Sequence, residues 1–179
     1  MPPVTPTPED PLQSLRRLYA DIDCDTARLE RFHAERLHCG RGCAACCVDD
    51  LTVGAAEAEH IRRSFPDLLY EGTPHPRGAC AFLDESGACR IYAHRPYVCR
   101  TQGLPLRWIE QVDGHLVEHR DICPLNEAGA PITALPESQC WTIGPVEQRL
   151  AALNGERPRV RLRDLFAHGT HDHEPEELP

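Results

Sequence analysis

Four cysteines fall within nine residues: Cys39, Cys43, Cys46 and Cys47, in the run Cys-Gly-Arg-Gly-Cys-Ala-Ala-Cys-Cys. Cys80, Cys89, Cys99 and Cys123 then follow singly. Sulfurs this close along a chain are gathered by one tight turn, and thiolate is the ligand that soft and borderline metals select. In a secreted chain ten cysteines suggest disulfides, whereas in reducing cytosol the same count suggests metal. The adjacent pair Cys46-Cys47 favours the second reading, because two disulfides leaving one point are strained.

The compartment follows from what surrounds the cysteines. The opening stretch, Met-Pro-Pro-Val-Thr-Pro-Thr-Pro-Glu-Asp-Pro, lacks the apolar run of a signal peptide. No apolar stretch approaches the ~18 residues that cross a bilayer. A cytoplasmic protein with no membrane partner is expected. The net charge of −9 argues against nucleic acid as a partner. The local basic groups, Arg16 with Arg17, Arg62 with Arg63, and Arg157, Arg159, Arg161 and Arg163, read as solvated faces.

A chain of 179 residues suits one domain, yet aromatics make up only 6% of it and seventeen prolines interrupt its periodic segments. With so little core material, a structural metal would matter for folding, since such a site can supply on the order of 10 kcal/mol. The expected organisation is a disordered segment 1–11, a single α+β metal-binding domain over 12–168, and a disordered acidic tail 169–179. That domain should consist of short helices and two β-hairpins around a cysteine-ligated centre.

Apolar spacing predicts one long helix, or two broken near Asp23–Asp25, from Leu12 to Leu37, with Cys24 as a small buried or half-buried residue. Val48 to Val53 reads as a strand, Gly54 to Ser64 as a helix that Pro66 ends, and 66–79 as loop. Cys80–Leu83 and Cys89–Tyr92 flank the turn Asp84-Glu85-Ser86-Gly87, which suggests a hairpin with a cysteine on each arm. Phe82 and Tyr92 read as core. A short helix is expected over 93–97, a second hairpin over 104–112 and 115–120 about Asp113-Gly114, loop over 126–139 ahead of Cys140, a helix over Pro145–Leu153, and an amphipathic stretch over 160–167.

Two kinds of centre compete for these thiols. Structural zinc takes four Cys or Cys/His ligands, usually from two paired knuckles. An iron–sulfur cluster often takes a compact cysteine run with a remote further ligand, which this distribution fits better. His38, His75 and His94 are further donors, while His168, His171 and His173 sit in the acidic tail. The spacing Cys39-x3-Cys43-x2-Cys46 also matches radical S-adenosylmethionine enzymes, but the βα series that such a fold needs is missing here and Cys47 is foreign to it.

The full pattern is more specific. Cys-x3-Cys-x2-Cys-Cys is followed by Cys80-x-Phe82-Leu83 and by Gly87-x-Cys89-x-Ile91-Tyr92-x-x-Arg95-Pro96-x-x-Cys99-Arg100. This resembles a zinc- or iron-chelating cysteine-cluster family, the YkgJ family, over residues 37–125, with three residues rather than two after the first cysteine. The resemblance implies a ligand pool of Cys39, Cys43, Cys46, Cys47, Cys80, Cys89 and Cys99, with Cys123 as an eighth. It also implies an iron–sulfur cluster, with zinc as the alternative, and a protein redox partner on the first reading. Arg95 and Arg100 would sit by the cofactor, where a guanidinium offsets thiolate charge; the competing expectation is that Arg95 ends a turn and Arg100 is exposed.

Overall fold

The computed structural model describes residues 10–40 and 42–167. Residues 1–9 of the expected N-terminal segment, the tail 169–179 and its histidines lie outside them, as does Arg41 within the cysteine run. The described residues form two compact units: 10–39 with 96–156, and 40–95 with 157–167. Together they make an α+β fold of five α-helices and two small sheets.

The first unit is organised by α1 (Pro11–Phe32). Asp10 Oδ1 accepts from the Leu12 N–H at 3.1 Å, and Pro11 at the first helical position needs no donor of its own. The helix passes through Asp23–Asp25 unbroken, burying Leu12, Leu15, Leu18, Tyr19, Ile22, Thr26 and Leu29 along one stripe. Cys24 is exposed, contrary to expectation. It lies two residues from both Ile22 and Thr26, which places it on the opposite face of the helix. The helix stops at Phe32, short of Leu37, where His33 caps it through its N–H to Leu29 O.

α1 packs against α4 (Tyr97–Thr101) and α5 (Pro145–Asn154). The second expected hairpin is present as β2 (Leu106–Val112) and β3 (His115–Asp121), with Leu106 opposite Asp121 and Val112 opposite His115. Its two turn residues both carry positive φ, Asp113 at 49° and Gly114 at 81°, as a tight two-residue hairpin turn demands. β4 (Trp141–Thr142) adds in parallel to the start of β2, and Trp141 Nε1 donates to Tyr97 Oη at 2.9 Å. The stretch read as loop over 126–139 contains short 3-10 turns.

The second unit has little ladder. β1 is only Thr52–Val53, paired antiparallel with β5 (Val160–Arg161). The strand expected from Val48 is shorter because the chain is still turning after the cysteines: Cys47 N–H reaches Ala44 O and Val48 N–H reaches Cys46 O. α2 (Ala55–Ser64) matches expectation, with the Glu57 carboxylate accepting from Gly54 N–H at 3.2 Å. Residues 66–71, read as loop, are a helix, α3 (Pro66–Glu71). Pro66 opens this helix rather than only closing the previous one, because the first helical position tolerates a missing donor.

The first expected hairpin shrinks to a single bridge, Leu83 to Cys89. Asp84 holds its turn instead, Oδ1 accepting from the Ser86 and Ala88 N–H groups at 2.9 Å each. The core of this unit includes Val53, Ile61, Phe82, Ile91, Leu162 and Phe166, with the Phe82 and Phe166 rings 5.0 Å apart. Phe82 is core as read from the sequence, but Tyr92 is 39% exposed. It lies in a 3-10 turn, Tyr92–His94, where its ring carries the Arg95 guanidinium at 4.1 Å. The helix expected over 93–97 is that turn followed by α4.

Candidate metal centre

No disulfide joins any of the ten cysteines. The units divide the ligand pool: Cys43, Cys46, Cys47, Cys80 and Cys89 belong to the second, Cys39, Cys99 and Cys123 to the first. Among the described residues, no three His, Cys, Asp or Glu side chains gather around one ion-sized centre. The sulfurs are nonetheless ordered into smaller groups, each with a definable chemistry.

Cys43, Cys46 and Cys47 occupy two successive turns, with Cys43 N–H on Gly40 O at 3.0 Å and Cys47 N–H on Ala44 O at 3.0 Å. The Cys47 thiol donates to the Cys46 sulfur. That bond is the main reason the Cys46 thiol is lowered to about 6; burial opposes it and the residue's own N–H helps. At neutral pH this favours the thiolate of Cys46, the form in which cysteine binds metal.

Cys47 is tied in turn to Cys80, whose N–H donates to Cys47 O at 2.9 Å. Around this joint the two cysteine segments are clamped by a residue that sequence reasoning placed on a solvated face. Arg163 is 8% exposed. Its Nε donates to Asp49 Oδ1 at 2.6 Å, its Nη1 to His75 O at 2.8 Å, and its Nη2 to Pro76 O and Ala79 O at 3.3 and 3.1 Å. Asp49 Oδ2 completes the clamp by accepting from Gly78 N–H at 2.9 Å. One guanidinium thus joins the segment after Cys47 to the segment before Cys80. Alternating arginines hid it, because in a two-residue strand next to a 3-10 turn the fourth arginine points inward while Arg159 and Arg161 stay exposed.

Cys80 and Cys89 share a second arrangement. Burial pushes both thiols up, while the N–H two residues on, Phe82 for Cys80 and Ile91 for Cys89, acts on the sulfur in the opposite sense. The charge of Cys89 raises Cys80 further. Arg95 and then Arg90 act to lower Cys89. These thiols hold their protons at neutral pH.

In the first unit Cys99 is half-buried on α4 and Cys123 half-buried at the start of the 3-10 turn Pro124–Asn126. Arg100 is buried, not exposed, with Nη1 on both oxygens of Asp23 at 2.6 and 2.7 Å and its guanidinium 4.1 Å from the Tyr19 ring. Cys140 is buried, its thiol raised by that burial, with Arg120 Nη1 at 3.6 Å from its sulfur. Cys39 lies against Asn126 and Gly103. Asn126 Nδ2 lies 3.1 Å from its sulfur, and a Cβ built on Gly103 would come within 2.6 Å of it.

The donor set fits a thiophilic metal: reduced thiols, one of them favouring its thiolate at neutral pH, with N–H groups on the sulfurs and the positive charge of Arg95 and Arg90 acting on Cys89. Among the described residues no helix is long and apolar enough to cross a membrane. No curated protein and no solved structure matches the chain significantly. Residues 38–124, which span both groups of cysteines, match the family model CxxCxxCC, described as "Putative zinc- or iron-chelating domain", and that match supports metal binding by the cysteines.

Proposed function

We propose that this chain is a cytoplasmic metalloprotein that holds an iron–sulfur cluster and exchanges electrons with a protein redox partner. Cys39, Cys43, Cys46, Cys47, Cys80, Cys89, Cys99 and Cys123 form the ligand pool. The observation that carries the reading is the Cys46–Cys47 pair, which is already anionic at neutral pH and is joined through the Cys47 carbonyl to Cys80. A multi-iron cluster is wider than a single ion and takes thiolates from separated points. A compact cysteine run followed by single remote cysteines fits such a cluster better than the two paired knuckles usual for zinc. Such a cluster, when bound, would accept and return single electrons. The chain's own groups would supply the thiolates, the N–H donors at Cys80 and Cys89, and the charge of Arg95 beside Cys89.

Protein purified without oxygen should be brown and contain iron and acid-labile sulfide. Serine at Cys47 should lower the iron content. A colourless protein with stoichiometric zinc and no sulfide would replace this reading with a zinc-stabilised interaction module.

A further inference from the structure

Asn126 has no solvent exposure, and all of its amide is committed. Its Oδ1 accepts from His38 N–H at 2.9 Å, and its Nδ2 donates to Gly103 O at 2.8 Å. Those two partners fix which way round the amide sits, since the reverse orientation would set a carbonyl against a carbonyl and a donor against a donor. With the orientation fixed, the second proton of Nδ2 faces the Cys39 sulfur at 3.1 Å. On the other side Gly103, at φ +92°, leaves the space that the sulfur fills; an alanine there would place its Cβ 2.6 Å from Sγ. A sulfur seated between a directed N–H and a missing side chain has one position.

We propose that Asn126 is a positioning residue for the metal ligand Cys39: with Gly103 it forms a cradle that fixes the sulfur and holds an N–H on it when it ligates as thiolate. The proposal rests on the reading of Cys39 as a ligand and adds to it the group that selects the sulfur's place. A neutral amide donor suits this role. It strengthens its bond as the sulfur gains charge, and it contributes no competing charge of its own. Nothing in the residue's sequence surroundings marks it, because its partners lie 88, 87 and 23 residues away.

The test uses the full chain loaded with cadmium as the isotope 113Cd. In the wild-type protein the Asn126 side-chain amide protons should shift on loading, with one of them coupled to the metal through the N–H···S bond. Asn126→Asp keeps the acceptor for His38 N–H but sets a carboxylate oxygen against the sulfur, and it should weaken Cd2+ binding about 10- to 100-fold in chelator competition. Amide protons unmoved by loading would overturn the proposal, whether or not the variant folds. So would a folded Asn126→Asp protein that binds Cd2+ as tightly as wild type. Cys39→Ser separates the two levels. If it retains full Cd2+ affinity, Cys39 is not a ligand and the underlying reading fails. If it loses affinity while the Asn126 protons stay unmoved, only the cradle fails.

Discussion

The unit built on α1 has a 22-residue helix and a seven-residue ladder to satisfy its backbone, whereas the unit carrying Cys43 to Cys89 has paired strands of two residues. In the first, regular pairing comes with the chain and apolar side chains dock it. In the second, irregular backbone has to find donors and acceptors one by one. Arg163, Asp49 and Asp84 provide them. Cysteines in a turn cannot also serve a long helix or strand, so a chain that gathers thiols gives up backbone pairing there and recovers it through buried polar side chains.

This contrast can be broken most sharply at Arg163. Arg163→Ala strips the partner from Asp49 and the donors from three carbonyls, and should cost about 4 kcal/mol in chemical denaturation. Hydrogen exchange should rise first at the amides of Gly78 and Cys80, with the β2–β3 ladder unchanged. Equal acceleration across both units would mean that the clamp is not local. In the first unit the matching experiment is Leu15→Ala, at a residue with no solvent exposure, with an expected loss of about 3 kcal/mol. A loss below about 1 kcal/mol would show that the α1 stripe does not carry that unit's core.

Smaller effects sharpen the same picture. Asp10→Ala removes the cap of α1 and should cost about 1 kcal/mol, read as a lower melting temperature and faster exchange at Leu12. Least of all should be Glu118→Gln on the exposed hairpin. The bond from Arg120, opposed by burial and joined by Arg107, holds the Glu118 carboxyl below its usual range. A depressed carboxyl stabilises the fold above its ordinary value of about 4.3, and that contribution fades as pH falls through the native value. The melting difference between wild type and variant should therefore be present at neutral pH and shrink in acid; a difference that widens in acid would contradict it.

The same contrast explains what the sequence disclosed. α1, α2, α5 and the hairpin at Asp113-Gly114 were legible because periodicity, capping residues and a turn dipeptide are local signals. α3 was missed because Pro66 signals an end and a start alike. The cysteines announced themselves by spacing. Their supports did not: Arg163 sits in an alternating arginine run, Asn126 in a stretch without periodicity, and each acquires its role from partners far along the chain. Cys24 and Tyr92 were misplaced for a related reason, since residue type suggests burial but only the helix face or turn decides it.

The pairing of β1 with β5 also has a consequence in time. Arg163 follows Asp49 by 114 residues, so at about 5–20 residues per second a ribosome exposes the cysteine run on the order of ten seconds before the arginine that secures it. During that interval the thiols are part of an unclosed chain, open to oxidants and to whichever ion arrives first. Completion of the unit waits for the stretch that carries β5 and Arg163, so any product truncated before Val160 has the thiols without the strand and the arginine that secure their segments.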